Sequence, residues 1–192
     1  MEKLLFFSQN CGKISEVQKL FKGLSINLIS LKDLDIKNQP NETGKSFPEN
    51  ARIKSMFGYK HFNIPCFADD SGICIEALDW KPGVLSKNYL ESFETNVDCL
   101  KNIINQVKQT GKKKALFKTS ICLTLKENYH IVFEGKIEGE ISSKIIGGGG
   151  FGYDPIFIPK GHNETFAEMS TYRKNLLSHR SIAISKLINF FS

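Results

Sequence analysis

The sequence predicts a mixed α/β protein of one domain, and three observations carry that prediction. Short apolar runs alternate with segments of helical spacing through the first half of the chain. A strand–turn–strand pattern follows around residues 115–133, and an amphipathic stretch closes the chain. No internal repeat or long linker interrupts the 192 residues, a length that buries one real core.

Lys3 to Phe7 is short and apolar, as a buried strand is. After the polar turn Ser8 to Gly12, Ile14, Val17, Leu20 and Phe21 recur at helical spacing. Ile26 to Leu31 reads as a second strand, and Lys37 to Gly44 has the composition of a turn. A helix opens near Phe47 and runs through Met56 and Tyr59. Cys66-Phe67-Ala68 is a strand running into Asp69-Asp70-Ser71-Gly72, with the apolar stretch Ile73 to Leu78 beyond. Val97, Leu100, Ile103, Ile104 and Val107 mark another helix. The basic run Lys112 to Lys114 precedes a strand from Ala115 to Leu125, which pairs with Tyr129 to Phe133 as a hairpin. Gly147 to Gly150 lead into Phe151-Gly152-Tyr153-Asp154-Pro155, and the last helix aligns Ile184, Leu187, Ile188 and Phe191.

Composition narrows the class. With 41% hydrophobic and 24% charged residues, the chain is globular rather than disordered. No apolar run approaches the ~18 residues of a membrane span. The apolar N-terminal stretch is too short for a signal peptide, so secretion is not expected. The five cysteines are odd in number and lack CxxC spacing, which favours a reducing, cytoplasmic setting; Cys74 and Cys122 read as small buried hydrophobes. The net charge of +6 permits an anionic partner without naming it.

Five segments have the residue types that chemistry needs. Ser8-Gln9-Asn10-Cys11-Gly12-Lys13 is a polar turn ahead of a helix, where free N–H groups and a lysine suit phosphate; it lacks the Walker A pattern. The adjacent acids Asp69 and Asp70 fit either a solvated, Asp-capped turn or a hard-oxygen site for Mg²⁺ with a water-activating base. Glu42, in a loop before a helix, is either a second ligand or an exposed turn residue. In Gly147 to Pro155, glycines allow close backbone approach and Phe151 offers a stacking face, so a ligand loop is favoured over a linker. Ser178, at a helix N-cap, is followed by His179 and Arg180, cations that oppose the helix dipole unless an anion answers them.

Taken together these blocks resemble the inosine triphosphate pyrophosphatase (Ham1-like) family across essentially the whole chain. Ser8, Asn10, Lys13 and Glu16 follow its first block, and Glu42-Thr43-Gly44, Phe47, Glu49-Asn50-Ala51 and Lys54 its second. Ala68 to Gly72 with Pro82-Gly83-Val84, then Gly150 to Pro155, then Lys174 with Ser178-His179-Arg180, complete the order. The resemblance implies Mg²⁺-dependent hydrolysis of inosine, deoxyinosine and xanthosine triphosphates to monophosphate and pyrophosphate. It also implies a two-lobed α/β domain over residues 1–192, with a long mixed sheet, a central active-site cleft and a homodimer. By that likeness Asp70 is the general base, and Glu42 with Asp70 lies at the metal. Residues 8–13 and Lys54 hold phosphates; Ser71, Phe151, Gly152, Tyr153 and Asp154 line the nucleoside pocket; Lys174, His179 and Arg180 read the base. The partner is a small nucleotide, with no nucleic acid or membrane required.

Two positions depart from the family pattern. Asn88 stands where an arginine is usual, with Lys87 before it, and Trp80 stands where small residues are common. Two rival readings remain at this point: a related pyrophosphatase for pyrimidine or modified nucleotides, and a non-catalytic nucleic-acid binder using Lys112 to Lys114.

Overall fold

The computed structural model describes residues 3–31, 34 and 39–191; of the turn expected at Lys37 to Gly44, Lys37 and Asn38 lie outside the described residues. The fold is mixed α/β, as the sequence predicts. Its elements are β1 (Lys3–Phe6), α1 (Cys11–Phe21), β2 (Asn27–Ser30), α2 (Phe47–Phe62), β3 (Cys66–Ile75), β4 (Lys81–Pro82), α3 (Ser86–Glu91), α4 (Asn96–Thr110), β5 (Lys114–Lys126), β6 (Tyr129–Ile141), β7 (Phe157–Pro159), α5 (Thr171–Leu177) and α6 (His179–Phe191). One mixed sheet has the strand order β2-β1-β3-β5-β6-β7, with β4 paired to β3. β1 runs parallel to both β2 and β3, whereas β6 and β7 are antiparallel. Among the described residues, no helix is long and apolar enough to cross a membrane.

Two compact units share the chain, the first comprising Met1–Asp70, Thr119–Gly135 and Arg180–Ser192. Both faces of β1 are buried, so its sequence is continuously apolar rather than alternating. Leu4 and Phe6 pack with Ile14, Val17, Phe67 and Leu187, while Leu5 and Phe7 pack with Cys66 and Ala68. The Phe6 and Phe67 rings stack at 4.8 Å. Gly58 brings α2 hard against this second face: a Cβ there would lie 2.5 Å from Cys66 Sγ and 2.8 Å from the Phe7 ring. Ser46 caps α2 by accepting from Glu49 N–H, with Pro48 in the first turn.

The second unit comprises Ser71–Lys118 and Lys136–His179. Here α4 lays Cys99, Leu100, Ile103, Ile104 and Val107 onto a core with Ile73, Ile75, Phe117, Phe157 and Phe166. Val97, expected on that face, is instead 46% exposed one turn earlier. Cys122 is buried as expected, and Cys74 only half-buried.

Asp69-Asp70-Ser71-Gly72 does not leave a strand at its end. β3 runs unbroken from Cys66 to Ile75, with both acids inside it, 3% and 5% exposed. A solvated turn is thereby excluded. Successive side chains of a strand point to opposite faces, so the two carboxylates face different neighbours.

Candidate active site

The first unit gathers charge on both faces of β3. Asn10 caps α1, its Oδ1 accepting from Lys13 N–H at 3.0 Å, while its own N–H donates to Ser8 Oγ at 3.3 Å. The helix starts at Cys11, inside the expected polar turn, and no acid sits in its first turn. Gln9, Asn10 and Cys11 are exposed, and Ser8, Gly12 and Lys13 half-buried, so the first-turn N–H groups suit an anion.

Lys13 and Glu16 share a face of α1, three residues apart. Lys13 Nζ pairs with Asp69 Oδ2 at 2.9 Å. The same oxygen lies 3.5 Å from Arg180 Nε, and Arg180 forms a short ion pair with Glu16. Arg180 is 2% exposed, so the helix-start cation noted in the sequence is answered by two carboxylates from other elements. Burial pulls the Lys13 ammonium below its ordinary 10.5; Asp69 opposes this, while Lys54 and Arg180 add to it.

Asp70 faces the other way. Its Oδ2 accepts from Asn50 Nδ2 at 3.2 Å, and its Oδ1 lies 3.4 Å from Lys54 Nζ. The same ammonium contacts Glu42 Oε2 at 3.0 Å. Asn50 also accepts from Gly44 N–H at 2.8 Å, tying the Glu42 loop to α2. Asn50 and Lys54 are one helical turn apart, which is why both reach Asp70. Burial pushes the Asp70 carboxyl above its ordinary 3.8; Lys54 and Lys13 pull it back, Glu42 adds to the rise, and the Asn50 hydrogen bond lowers it. Burial by itself would lower Lys54, but Asp70, Asp69 and Glu42 outweigh it and hold the ammonium charged.

The second unit builds a different cluster. Asp154 Oδ2 accepts from Phe151 N–H at 2.8 Å and from Lys174 Nζ at 2.6 Å. Asp154 and Lys174 are 3% and 4% exposed. Lys174 Nζ also lies 4.9 Å from the Phe151 ring centroid and 5.5 Å from that of Phe166, an aromatic setting that favours a cation. Gly150, at φ 69°, is required here, because a Cβ would overlap the Asp154 carboxylate. His179 stacks on Phe117 at 4.6 Å, with rings only 5° from parallel.

Tyr153 is 5% exposed and spends its hydroxyl on Ser86 C=O at 2.6 Å, so it braces the loop rather than presenting a polar group; burial raises its phenol well above its ordinary value. Ser71 is half-buried in β3.

The expected residues thus fall into two groups. Residues 8–13, Glu42, Lys54, Asp70 and Arg180 belong to the first unit; Ser71, residues 151–154, Lys174 and His179 belong to the second. Arg180 and Lys13, on different helices, share the Asp69 carboxylate. Asp69, Glu16 and Asn50, named in the sequence blocks, gain partners in the first group, and Phe117 and Phe166 join the second. Besides the family block, a glutamate between the apolar Ile14 and Val17 on a helix is a signal for Glu16. Of the two departures, Asn88 is exposed on α3 beside a Lys87–Glu91 pair at 3.8 Å. Trp80 is 47% exposed in left-handed backbone, φ 62°, next to Asp79 at φ 52°.

Comparison with known proteins shows the family to which the chain belongs. A family model described as the Ham1 family matches residues 4–190. A dITP/XTP pyrophosphatase of Porphyromonas gingivalis is 40% identical over 193 residues, covering 99% of this chain and 97% of its own. One from Aquifex aeolicus is 35% identical over 196 residues, covering 97% and 95%. A HAM1 protein structure from Coxiella burnetii superposes with a TM-score of 0.89 at 34% identity, over 100% of this chain and 98% of that one. A nucleoside-triphosphatase / dITP/XTP pyrophosphatase from Mycobacterium abscessus gives 0.74 at 36% identity, over 96% and 98%.

Proposed function

The chain belongs to the Ham1 family, and from that premise we propose that it hydrolyses inosine, deoxyinosine and xanthosine triphosphates to the monophosphate and pyrophosphate. The observation that carries the reading is Asp70, a carboxylate buried mid-strand and held by Asn50 and Lys54 beside Glu42. Such a group is fixed in place, and its raised pKa makes it a stronger base than an exposed aspartate.

Mg²⁺ is the proposed cofactor. Among the described residues, no three His, Cys, Asp or Glu side chains converge as a metal cage. Glu42 and Asp70 nonetheless fit Mg²⁺, which takes one or two carboxylates and completes its shell with water and substrate phosphates. Both already share one cation, the Lys54 ammonium. When bound, the ion supplies charge stabilisation to the phosphates and lowers the cost of forming hydroxide.

The chain's own residues do the rest. The N-terminus of α1 and Lys13 bind phosphate oxygens. Asp70 takes the proton from the water that attacks the α-phosphorus, and pyrophosphate leaves. Phe151 offers its face to the base, and Lys174, donor-only, pairs with the 6-keto acceptor of hypoxanthine or xanthine. Adenine puts an amine there, and an unanswered buried donor costs about 1–3 kcal/mol, roughly a 5- to 150-fold preference. His179, flat against Phe117, completes the base-reading group. A homodimer is proposed on the family resemblance alone, and a cytoplasmic setting on the odd cysteine count without CxxC spacing.

The decisive experiment is a triphosphate panel with Mg²⁺, reading pyrophosphate and orthophosphate separately. Inosine triphosphate is cleaved much faster than adenosine triphosphate, with pyrophosphate as first product; orthophosphate alone sinks the assignment, and a pyrimidine preference moves it to the related class.

A pH prediction follows from Lys13. Its lowered pKa means that raising pH through a value below 10.5 removes the cation that binds phosphate. kcat/KM therefore falls on the alkaline side, and Lys13→Arg, which stays charged, abolishes that limb. An unchanged alkaline limb in Lys13→Arg shows that Lys13 is not its source.

A further inference from the structure

Lys54 holds a position that a phosphate-binding lysine does not need. Its Nζ stands 3.0 Å from Glu42 Oε2 and 3.4 Å from Asp70 Oδ1, so one ammonium bridges both acids assigned above to the metal. The Lys54 side chain is 12% exposed and that of Asp70 only 8%. Asn50 fixes the far oxygen of Asp70 and, through Gly44 N–H, the loop that carries Glu42. Asp70 is therefore held by α2, which also ties down the Glu42 loop at Gly44, while the Glu42 side chain is 42% exposed and the cation between the two acids sits on a four-carbon stem with rotatable bonds. The pair is a two-carboxylate acceptor, anchored at Asp70, with a movable occupant.

We propose that Lys54 is a resident cation that closes the Glu42–Asp70 pair to free divalent metal and yields it only when nucleotide phosphates draw the ammonium away. This rests on the reading that Glu42 and Asp70 hold Mg²⁺. Two cations crowded onto the same two carboxylates repel, so metal alone must evict Lys54 from its partners with nothing to receive it. A triphosphate supplies that receiver, because its oxygens accept the ammonium as the metal takes the carboxylates. Metal and nucleotide consequently bind with positive coupling, each raising the affinity for the other by the same factor. A merely structural ion pair, holding the Glu42 loop in place, predicts the reverse for a Lys54 variant: a loosened loop and weaker metal binding.

The test reads binding rather than turnover. Mn²⁺ serves as the probe, its free fraction followed by electron paramagnetic resonance with the full chain and no nucleotide. Lys54→Met is expected to bind Mn²⁺ about tenfold more tightly than the wild type. The gain disappears in Lys54→Met/Glu42→Gln. Mn²⁺ also raises the melting temperature of Lys54→Met more than that of the wild type, since it restores charge balance to two carboxylates left together. Lys54→Gln, which keeps a polar side chain, repeats the measurement and guards against a folding defect confined to Met.

A second arm adds inosine triphosphate with a methylene bridge between the α- and β-phosphorus, which cannot be cleaved. If Mn²⁺ binds wild type with this analogue in a Glu42-dependent manner, yet neither Lys54 variant gains affinity without it, the resident-cation role is overturned and the metal site stands. If Glu42→Gln changes Mn²⁺ binding neither with the analogue nor in the Lys54→Met background, the metal assignment fails and takes this inference with it.

Discussion

Replacing Asp70 by Asn is expected to abolish pyrophosphate release from inosine triphosphate while leaving the fold in place. The amide keeps the shape of the side chain and a carbonyl oxygen for Asn50 Nδ2, which now donates to Asp70 at 3.2 Å. Lys54 keeps Glu42 as a partner at 3.0 Å. What disappears is the ability to take a proton and one hard oxygen ligand. Loss of a general base alone is worth about 10²–10⁴ in rate, and loss of a metal oxygen adds to it, so kcat drops by roughly 10³ or more. Stability moves the other way. A carboxyl whose folded-state pKa stands above its unfolded value binds its proton more tightly in the folded protein. Ionising Asp70 at neutral pH therefore subtracts from stability, and a neutral Asn removes that cost. The melting temperature of Asp70→Asn is expected at or above that of the wild type. A variant that retains more than about a tenth of the wild-type kcat, measured with Mg²⁺ in excess, removes Asp70 from the role of base.

The contrast between Asp70 and its neighbour shows what the sequence was able to say. β1, α1, β2, α2 and β5 were legible because apolar spacing reports burial directly, and each lies within a few residues of its expected bounds. Ala68-Asp69-Asp70-Ser71-Gly72 has the local chemistry of a turn, and yet it is the middle of β3. Local preference lost to tertiary charge: Lys13 and Arg180 answer Asp69, while Lys54 and Asn50 answer Asp70. Those partners come from three other helices, so no window around residue 70 contains the reason for the strand. β6 extends to Ile141, beyond the expected Phe133, along an alternation in which Glu138 and Glu140 are exposed and Ile137 and Ile141 are not. The Phe117 ring behind His179 and the Glu16 carboxylate behind Arg180 carry no local signal of pairing, because their partners lie far along the chain. The resemblance placed Glu16 in a pattern, and the structure supplies what it touches.

Replacing Glu16 by Ala is expected to be the most destabilising single change in the first unit. Glu16, Arg180, Asp69 and Lys13 form a buried set of two acids and two cations, linked in that order. Arg180 is 2% exposed and cannot turn to solvent without opening α6 against α1. Without Glu16, Arg180 loses one of its carboxylate partners, and Asp69 is shared between Lys13 and Arg180 in a region that burial has already desolvated. Breaking a buried pair from one side costs about 3–5 kcal/mol, against under 1 kcal/mol for an exposed pair such as Lys87–Glu91. For a chain of this size that is a fall in melting temperature of roughly 6–20 °C. The double variant Glu16→Ala/Arg180→Met provides the sharper comparison. It leaves Lys13 and Asp69 as a balanced pair and fills the guanidinium's place with an apolar chain. The double variant is thus expected to melt above Glu16→Ala alone, which a role in packing volume does not predict. If thermal melts followed by circular dichroism place Glu16→Ala within about 2 °C of the wild type, the buried set contributes little to stability. Arg180 would then be held by the covalent frame of α6 and not by its charge partners. If instead the order is wild type, double variant, Glu16→Ala, the position of Arg180 depends on a carboxylate 164 residues away in sequence. Asp69 then owes its freedom to hold Lys13 at the phosphate end to Glu16, which relieves it of the second cation.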